Sequence, residues 1–229
     1  MRPTVRTGEI ESRVQRIAIY ALGVALSPIS IGATLMILTS RAAFANAVSF
    51  AAGWVVGLSI SAVAFTVIVN GLNVTNSEPA WISLAELIMG LGFFAVAASL
   101  WLRSRPERLQ PYLLDQVDRF TSRRSATLGT VLSCANPKVM ALSLGAALSV
   151  ARVRPDGLLT LSEVALFVVI GAAGVLAPIA AYLALPSHGA ATLATLRGWL
   201  AKHERSVFTV FAMAIGAFFV YNGLDSLPS

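Results

Sequence analysis

Six apolar stretches, each about long enough to cross a bilayer, decide what this chain can fold into. They lie near residues 16–38, 44–69, 81–102, 126–150, 161–185 and 207–224. A hydrocarbon layer of about 30 Å needs about 20 helical residues, and the last stretch, at 18 residues, is the shortest. Transmembrane strands would be near ten residues of alternating polarity, a pattern that does not occur. Only 12% of the residues are charged and mean hydropathy is +0.76, whereas a soluble domain carries about 25% charged residues. The chain therefore lacks the polar surface to enclose its own core in water. A soluble enzyme, a disulfide scaffold and a disordered tail are excluded. The expectation is an all-α membrane protein, a single integral domain over 1–229.

The net charge of +6 does not point to nucleic acid, because every basic residue except Lys138 stands at or beyond the ends of the apolar runs. That distribution suits anchoring against anionic head groups. With both termini outside, the cytoplasmic connections carry ten basic residues and the outer side six, so the count favours that orientation in a plasma membrane. Residues 103–125 hold Arg103, Arg105, Arg108, Arg119, Arg123 and Arg124, with Leu109, Leu113, Val117 and Phe120 at helical spacing. Residues 186–206 repeat the arrangement with Leu193, Leu196, Trp199 and Leu200. Both read as amphipathic segments lying in the interface or as solvated linkers. The basic leader resembles a signal peptide, but apolar sequence continues past Ser30-Ile31-Gly32 to Leu38, so the first stretch is kept as a membrane helix.

The first and fourth stretches align at an offset of 109, LGVALSPISIGATL over VLSCANPKVMALSL, placing Pro28 on Pro137. Each proline follows a small polar residue, Ser27 or Asn136, near the middle of its stretch. The third and sixth carry GFF at 92–94 and AFF at 217–219, while the second and fifth do not align convincingly. An odd number of helices per half puts the halves in opposite orientations. The expected architecture is thus six helices as two inverted three-helix repeats, about 16–102 and 126–224, joined by the basic connection 103–125. Such repeats mark transporters, with the substrate site at the midplane where broken helices meet. Proline lacks an N–H and collides with the carbonyl four residues earlier, so the carbonyls of Val24 and Ser133 are expected to lose their partners. In hydrocarbon, such groups are tolerated only against protein or a wet cavity. Ser27 and Asn136 could satisfy them or turn them toward a substrate; bends that serve only packing are the plainer reading.

Lys138 sits at mid-span, about 15 Å from either interface at 1.5 Å per residue. A cation there costs about 2.5–3.5 kcal/mol or more, so it should face the bundle interior or a water-filled cavity. Its options are an anionic substrate group, a shifted pKa, or a structural pair with Glu86, the one acid well inside a stretch. Pro178 marks a hinge or merely a kink in the fifth. Small residues recur at every fourth position: Ala45, Ser49, Gly53, Gly57 and Ser61 in the second stretch; Gly129, Ser133, Pro137, Ala141, Gly145 and Ser149 in the fourth. These faces speak for close helix packing. His188 and His203 have no neighbouring ligands, a lone Cys134 gives no redox signal, and no nucleophile–base set or phosphate loop occurs. Neither a metal nor another cofactor is expected, nor an enzyme.

The segments ALSPISIGATLMILTS, FAAGWVVGL and LSCANPKVMALSLGAAL resemble the GAP, or sulfolipid-addressing, proteins of actinobacteria, within the wider LysE-type exporter superfamily. The resemblance covers most of the chain, and its SP and NPK elements are the most specific parts. It implies a 3 + 3 inverted-repeat membrane fold and export of envelope glycolipids or related solutes, alongside a larger lipid transporter. Related thiol-electron transporters need one Cys in each half; here Cys134 aligns with Ala25, which argues against that branch. The substrate path expected from the residues comprises Ser27, Pro28, Asn136, Pro137, Lys138, Glu86 and Pro178. Membrane lipids are expected partners, and a homo-oligomer is compatible with the chain. Two other readings stay open: an exporter of a small amino-acid-like or ionic solute, and a non-transport scaffold for envelope lipid assembly.

Overall fold

The computed structural model describes residues 7–71, 80–102, 121–151, 157–184 and 189–225. All regular structure among them is helical: α1 (Thr7–Ala25), α2 (Pro28–Ile37), α3 (Ala43–Gly71), α4 (Ala80–Leu102), α5 (Ser122–Cys134), α6 (Pro137–Ala151), α7 (Gly157–Ala184) and α8 (Gly189–Asp225). Three segments are long and apolar enough to cross a membrane: Ala43–Gly71, Leu159–Ala184 and Arg205–Asp225. The bent pairs α1–α2 and α5–α6 would each make one more, and α4 supplies a shorter apolar stretch, Glu86–Leu102.

Two expectations about boundaries change. The segment from residue 189 onward is not a separate interfacial helix. It runs straight into the final span as one 37-residue helix, because no proline interrupts 189–225. The fourth stretch begins at Ser122 rather than 126; Thr121 caps it by accepting the Arg124 backbone N–H at 3.4 Å. Arg103, Arg105, Arg108, Leu109, Leu113, Val117, Arg119 and Phe120, together with His188, lie outside the described residues.

Small residues set how the helices pack, because in lipid no water is expelled to drive association and close backbone approach must do the work. On α3, a Cβ at Gly53 would strike the Ala126 carbonyl of α5, and one at Gly57 would strike the Ser133 side chain. From the other side, a Cβ at Gly129 would strike the Phe50 carbonyl. Thr130 Oγ1 and Cys134 Sγ then donate to the Gly53 and Gly57 carbonyls, at 3.1 and 3.2 Å. On α7, Gly171 lies against Val24 and Leu58, and Gly174 against the Ala25 carbonyl. The small-residue row of the fourth stretch is divided by the bend: Gly129 and Ser133 serve α3, whereas Gly145 receives Tyr20 of α1.

These contacts fix directions. Numbers rise together along α3 and α5 and along α1 and α7, so each pair is parallel. They run oppositely in α1 and α6 (Tyr20 with Gly145, Gly23 with Leu142) and in α4 and α8 (Leu87 with Gly223, Gly90 with Gly216). The pair α3 and α7 is also antiparallel, with Leu58 at Gly171 and Thr66 sharing a cleft with Glu163. The core is closed by fully buried Tyr20, Phe50, Trp54, Phe167 and Phe219. Tyr20 meets the Phe218 ring edge-on at 5.0 Å, and Phe93 stacks on Phe219 at 5.9 Å.

Candidate functional site: two matched helix breaks

Both prolines stand at the first position of a new helix rather than inside an old one. Proline is tolerated there because its missing N–H would have no helical partner anyway. The first break bends the chain by 46° between Ala25 and Pro28, the second by 57° between Cys134 and Pro137. They correspond residue for residue at the 109 offset. Ser27 and Asn136 each accept the backbone N–H four residues on, from Ile31 at 3.1 Å and Met140 at 2.9 Å. The antiparallel pairing of α1 with α6, Tyr20 at Gly145 and Gly23 at Leu142, brings the end of α1 close to the start of α6.

Local chemistry differs between the breaks. At the second, Asn136 Oδ1 accepts the Lys138 N–H at 3.0 Å, a side-chain cap of the kind that starts helices. At the first, Ser27 makes no such cap. The Val24 carbonyl is not left bare as the sequence suggests: the chain tightens by a turn and the Ser27 N–H reaches it at 3.2 Å. Ser30 Oγ donates to the Ser27 carbonyl at 3.0 Å. What remains is the Ser27 hydroxyl, fully buried and without a hydrogen-bond partner among the described residues.

Lys138 presents the matching case. Its ammonium is buried, has no hydrogen-bond partner among the described residues, and lies 4.0 Å from the centroid of the Phe211 ring on α8. A desolvated cation over an aromatic face gains about 2 kcal/mol, less than the hydrogen bonds that an ammonium normally keeps. Glu86 does not complete it. That carboxylate is 2% exposed and has an interaction of its own, but no ion pair joins it to Lys138. Its neighbours on α4 pack near residues 216–223 of α8, roughly 13 Å along that helix from Phe211 at 1.5 Å per residue.

Pro178 is buried and α7 runs unbroken through it, so it is not a third break. It stands one turn past Gly174, which abuts Ala25 at the first break. Three features escaped the sequence reading. Phe211 was hidden among many apolar residues. Asn46 is buried and ties Ser40 and Ser122 together, at 3.0 and 3.4 Å. Glu163 is 6% exposed and lines a cleft with Thr66, Ser143 and Phe167. A polar residue one turn inside an apolar run was the available signal in the last two.

His203 stacks on Trp199 at 4.8 Å, and no group of three metal-ligating side chains comes together among the described residues. Cys134 is a free thiol.

No curated protein and no solved structure matches the chain. A family model does, the one described as Sap, sulfolipid-1-addressing protein, over residues 17–225. That span takes in both breaks, Lys138 and the whole of the apolar final helix, and the chain belongs to the sulfolipid-1-addressing protein family.

Proposed function

We propose that this protein is a membrane component of envelope lipid export, with its substrate site between the two broken helices. The observation that carries the reading is the pair of buried polar atoms, Ser27 Oγ and Lys138 Nζ, left without hydrogen-bond partners among the described residues at the two matched breaks. A cation buried within an apolar bundle is a functional group by default, and an acidic head group is what its chemistry accepts. Ser27 and Asn136 flank the path. Membership in a family named for sulfolipid addressing supplies the lipid class.

The architecture of the proposal is six crossings arranged as two inverted repeats, with α1–α2 and α5–α6 each counted once. The parallel and antiparallel pairings above are those that six alternating crossings require. A register for the second and fifth stretches supports the same reading: at an offset of 117, Phe50 meets Phe167 and Gly57 meets Gly174. Exchanging the halves then turns the contact of Gly57 with Cys134 into that of Gly174 with Ala25, and both contacts exist. The site sits in a plasma membrane with both termini outside, acts without cofactor or catalytic chemistry, and works beside a larger lipid transporter.

Replacement of the cellular copy by Lys138→Gln tests this reading. At equal abundance and normal insertion, surface display of the envelope glycolipid should be lost; unchanged display removes the site assignment. The cleft of Thr66, Ser143 and Glu163 favours the second reading, a small ionic solute. In that case Glu163→Gln, and not Lys138→Gln, would impair export.

A further inference from the structure

The two breaks differ in what surrounds them, and the difference identifies how a substrate reaches Lys138. At the first break Ser27 and Pro28 are buried, and α8 packs closely on α2. At the second, the matching Asn136 is half-buried and Pro137 exposed, while Leu26 and its counterpart Ala135 are exposed in both. The close backbone neighbours of α8 are α4, α2 and α7, and α6 is not one of them. Lys138 and Phe211 therefore meet across a seam between two helices whose backbones stand apart. On both sides the seam borders the exposed surface of the bundle: Ala141 and Ala214, three residues on from Lys138 and Phe211 and so on the same helix faces, are part-exposed and exposed.

We propose that the seam between α6 and α8 is a lateral portal for a single anionic lipid, and that the Phe211 ring holds the Lys138 ammonium until a head group replaces it. The proposal rests on the lipid-export reading above and adds the route and the placeholder. An anionic lipid is the occupant because the seam combines an apolar outer face, which an acyl chain can follow, with one buried cation at its inner end. A cation–π contact is exchangeable. It keeps the ammonium out of bare hydrocarbon, yet it is weaker than the charge-assisted hydrogen bonds that a sulfate, phosphate or carboxylate head group would bring. A zwitterionic or neutral lipid has no such advantage over the ring.

The test uses the full chain in nanodiscs, with a benzophenone amino acid at position 214. The reference is position 60 on α3, which is 54% exposed and near the depth of the second break, since Gly57 one turn away touches Cys134. Discs contain either phosphatidylcholine alone or phosphatidylcholine with phosphatidylglycerol. Position 214 should label phosphatidylglycerol over phosphatidylcholine by about tenfold relative to position 60, the ratio expected of one charge-assisted hydrogen bond. Lys138→Gln should abolish the preference, and excess inorganic phosphate should leave it unchanged. Equal labelling at 214 and 60, a preference that survives Lys138→Gln, competition by free phosphate, or a cross-linked second copy of the chain would each overturn the portal. Loss of surface glycolipid in Lys138→Gln without lipid preference at 214 would reject this route while leaving the export reading standing. Normal display in Lys138→Gln would reject that reading itself.

Discussion

Glycine at position 53 should be worth more to this fold than alanine, against the intrinsic preference of helices. Alanine is favoured over glycine in a helix interior by about 1 kcal/mol. At Gly53 the added methyl would meet the Ala126 carbonyl, with the Ala126 Cα only 3.0 Å away. That obstacle is backbone and cannot turn aside, so α3 and α5 must part. Overpacking of this kind costs about 1–3 kcal/mol. Parting the helices also stretches the bond from Thr130 Oγ1 to Gly53, worth about 0.5–1.5 kcal/mol, and the weaker thiol bond from Cys134 Sγ to Gly57. After the helix-propensity gain, the net loss is about 2 kcal/mol. Gly92 on α4 is the control, because nothing lies within 4 Å of a Cβ there; Gly92→Ala should stabilise by up to about 1 kcal/mol. Thermal unfolding in detergent micelles, followed by fluorescence of buried Trp54, reads both. The expected shifts are about 5 °C downward for Gly53→Ala and a smaller shift upward for Gly92→Ala. If Gly53→Ala is no less stable than wild type, or if both variants lose alike, backbone approach between α3 and α5 is not what holds these helices.

Three further outcomes follow from the same geometry. Asn136→Ala removes the cap on the Lys138 N–H and should cost about 1 kcal/mol in the same unfolding assay, with Asn136→Asp recovering most of it. Tyr20→Ala empties the space between Gly145 and the Phe218–Phe219 pair and should cost about 3–5 kcal/mol, enough to lower the yield of folded protein on extraction. Cys134→Ser keeps a donor toward the Gly57 carbonyl, so glycolipid display should match wild type; loss of display would revive a thiol-based role.

Much of this was legible because some of the physics is local. The apolar runs located the helices, since about 20 residues are needed wherever a bilayer is crossed. The breaks at Pro28 and Pro137 followed from the missing N–H, which needs no knowledge of neighbours. What depends on neighbours could not be read. Lys138 was visible as a misplaced charge, but its partner is Phe211, one of 11 phenylalanines, and only the approach of α8 selects it. The pairing with Glu86 was reasonable by elimination and fails because the two residues stand at different levels. The proposed register of the second and fifth stretches was hidden for a similar reason: it rests on Gly57 and Gly174 each touching the last residue before a break, not on the residues beside them. The greater burial of Ser27 and Pro28 than of Asn136 and Pro137 is likewise a property of where α8 lies.

The central claim is that the second break holds an anionic lipid through Lys138. Native mass spectrometry of the purified protein with phosphatidylglycerol, beside phosphatidylcholine as reference, measures it most directly. One phosphatidylglycerol should bind in preference, with affinity falling about tenfold in Lys138→Gln and that of phosphatidylcholine unchanged. Equal binding of both lipids to wild type, or a preference untouched by Lys138→Gln, would contradict the account.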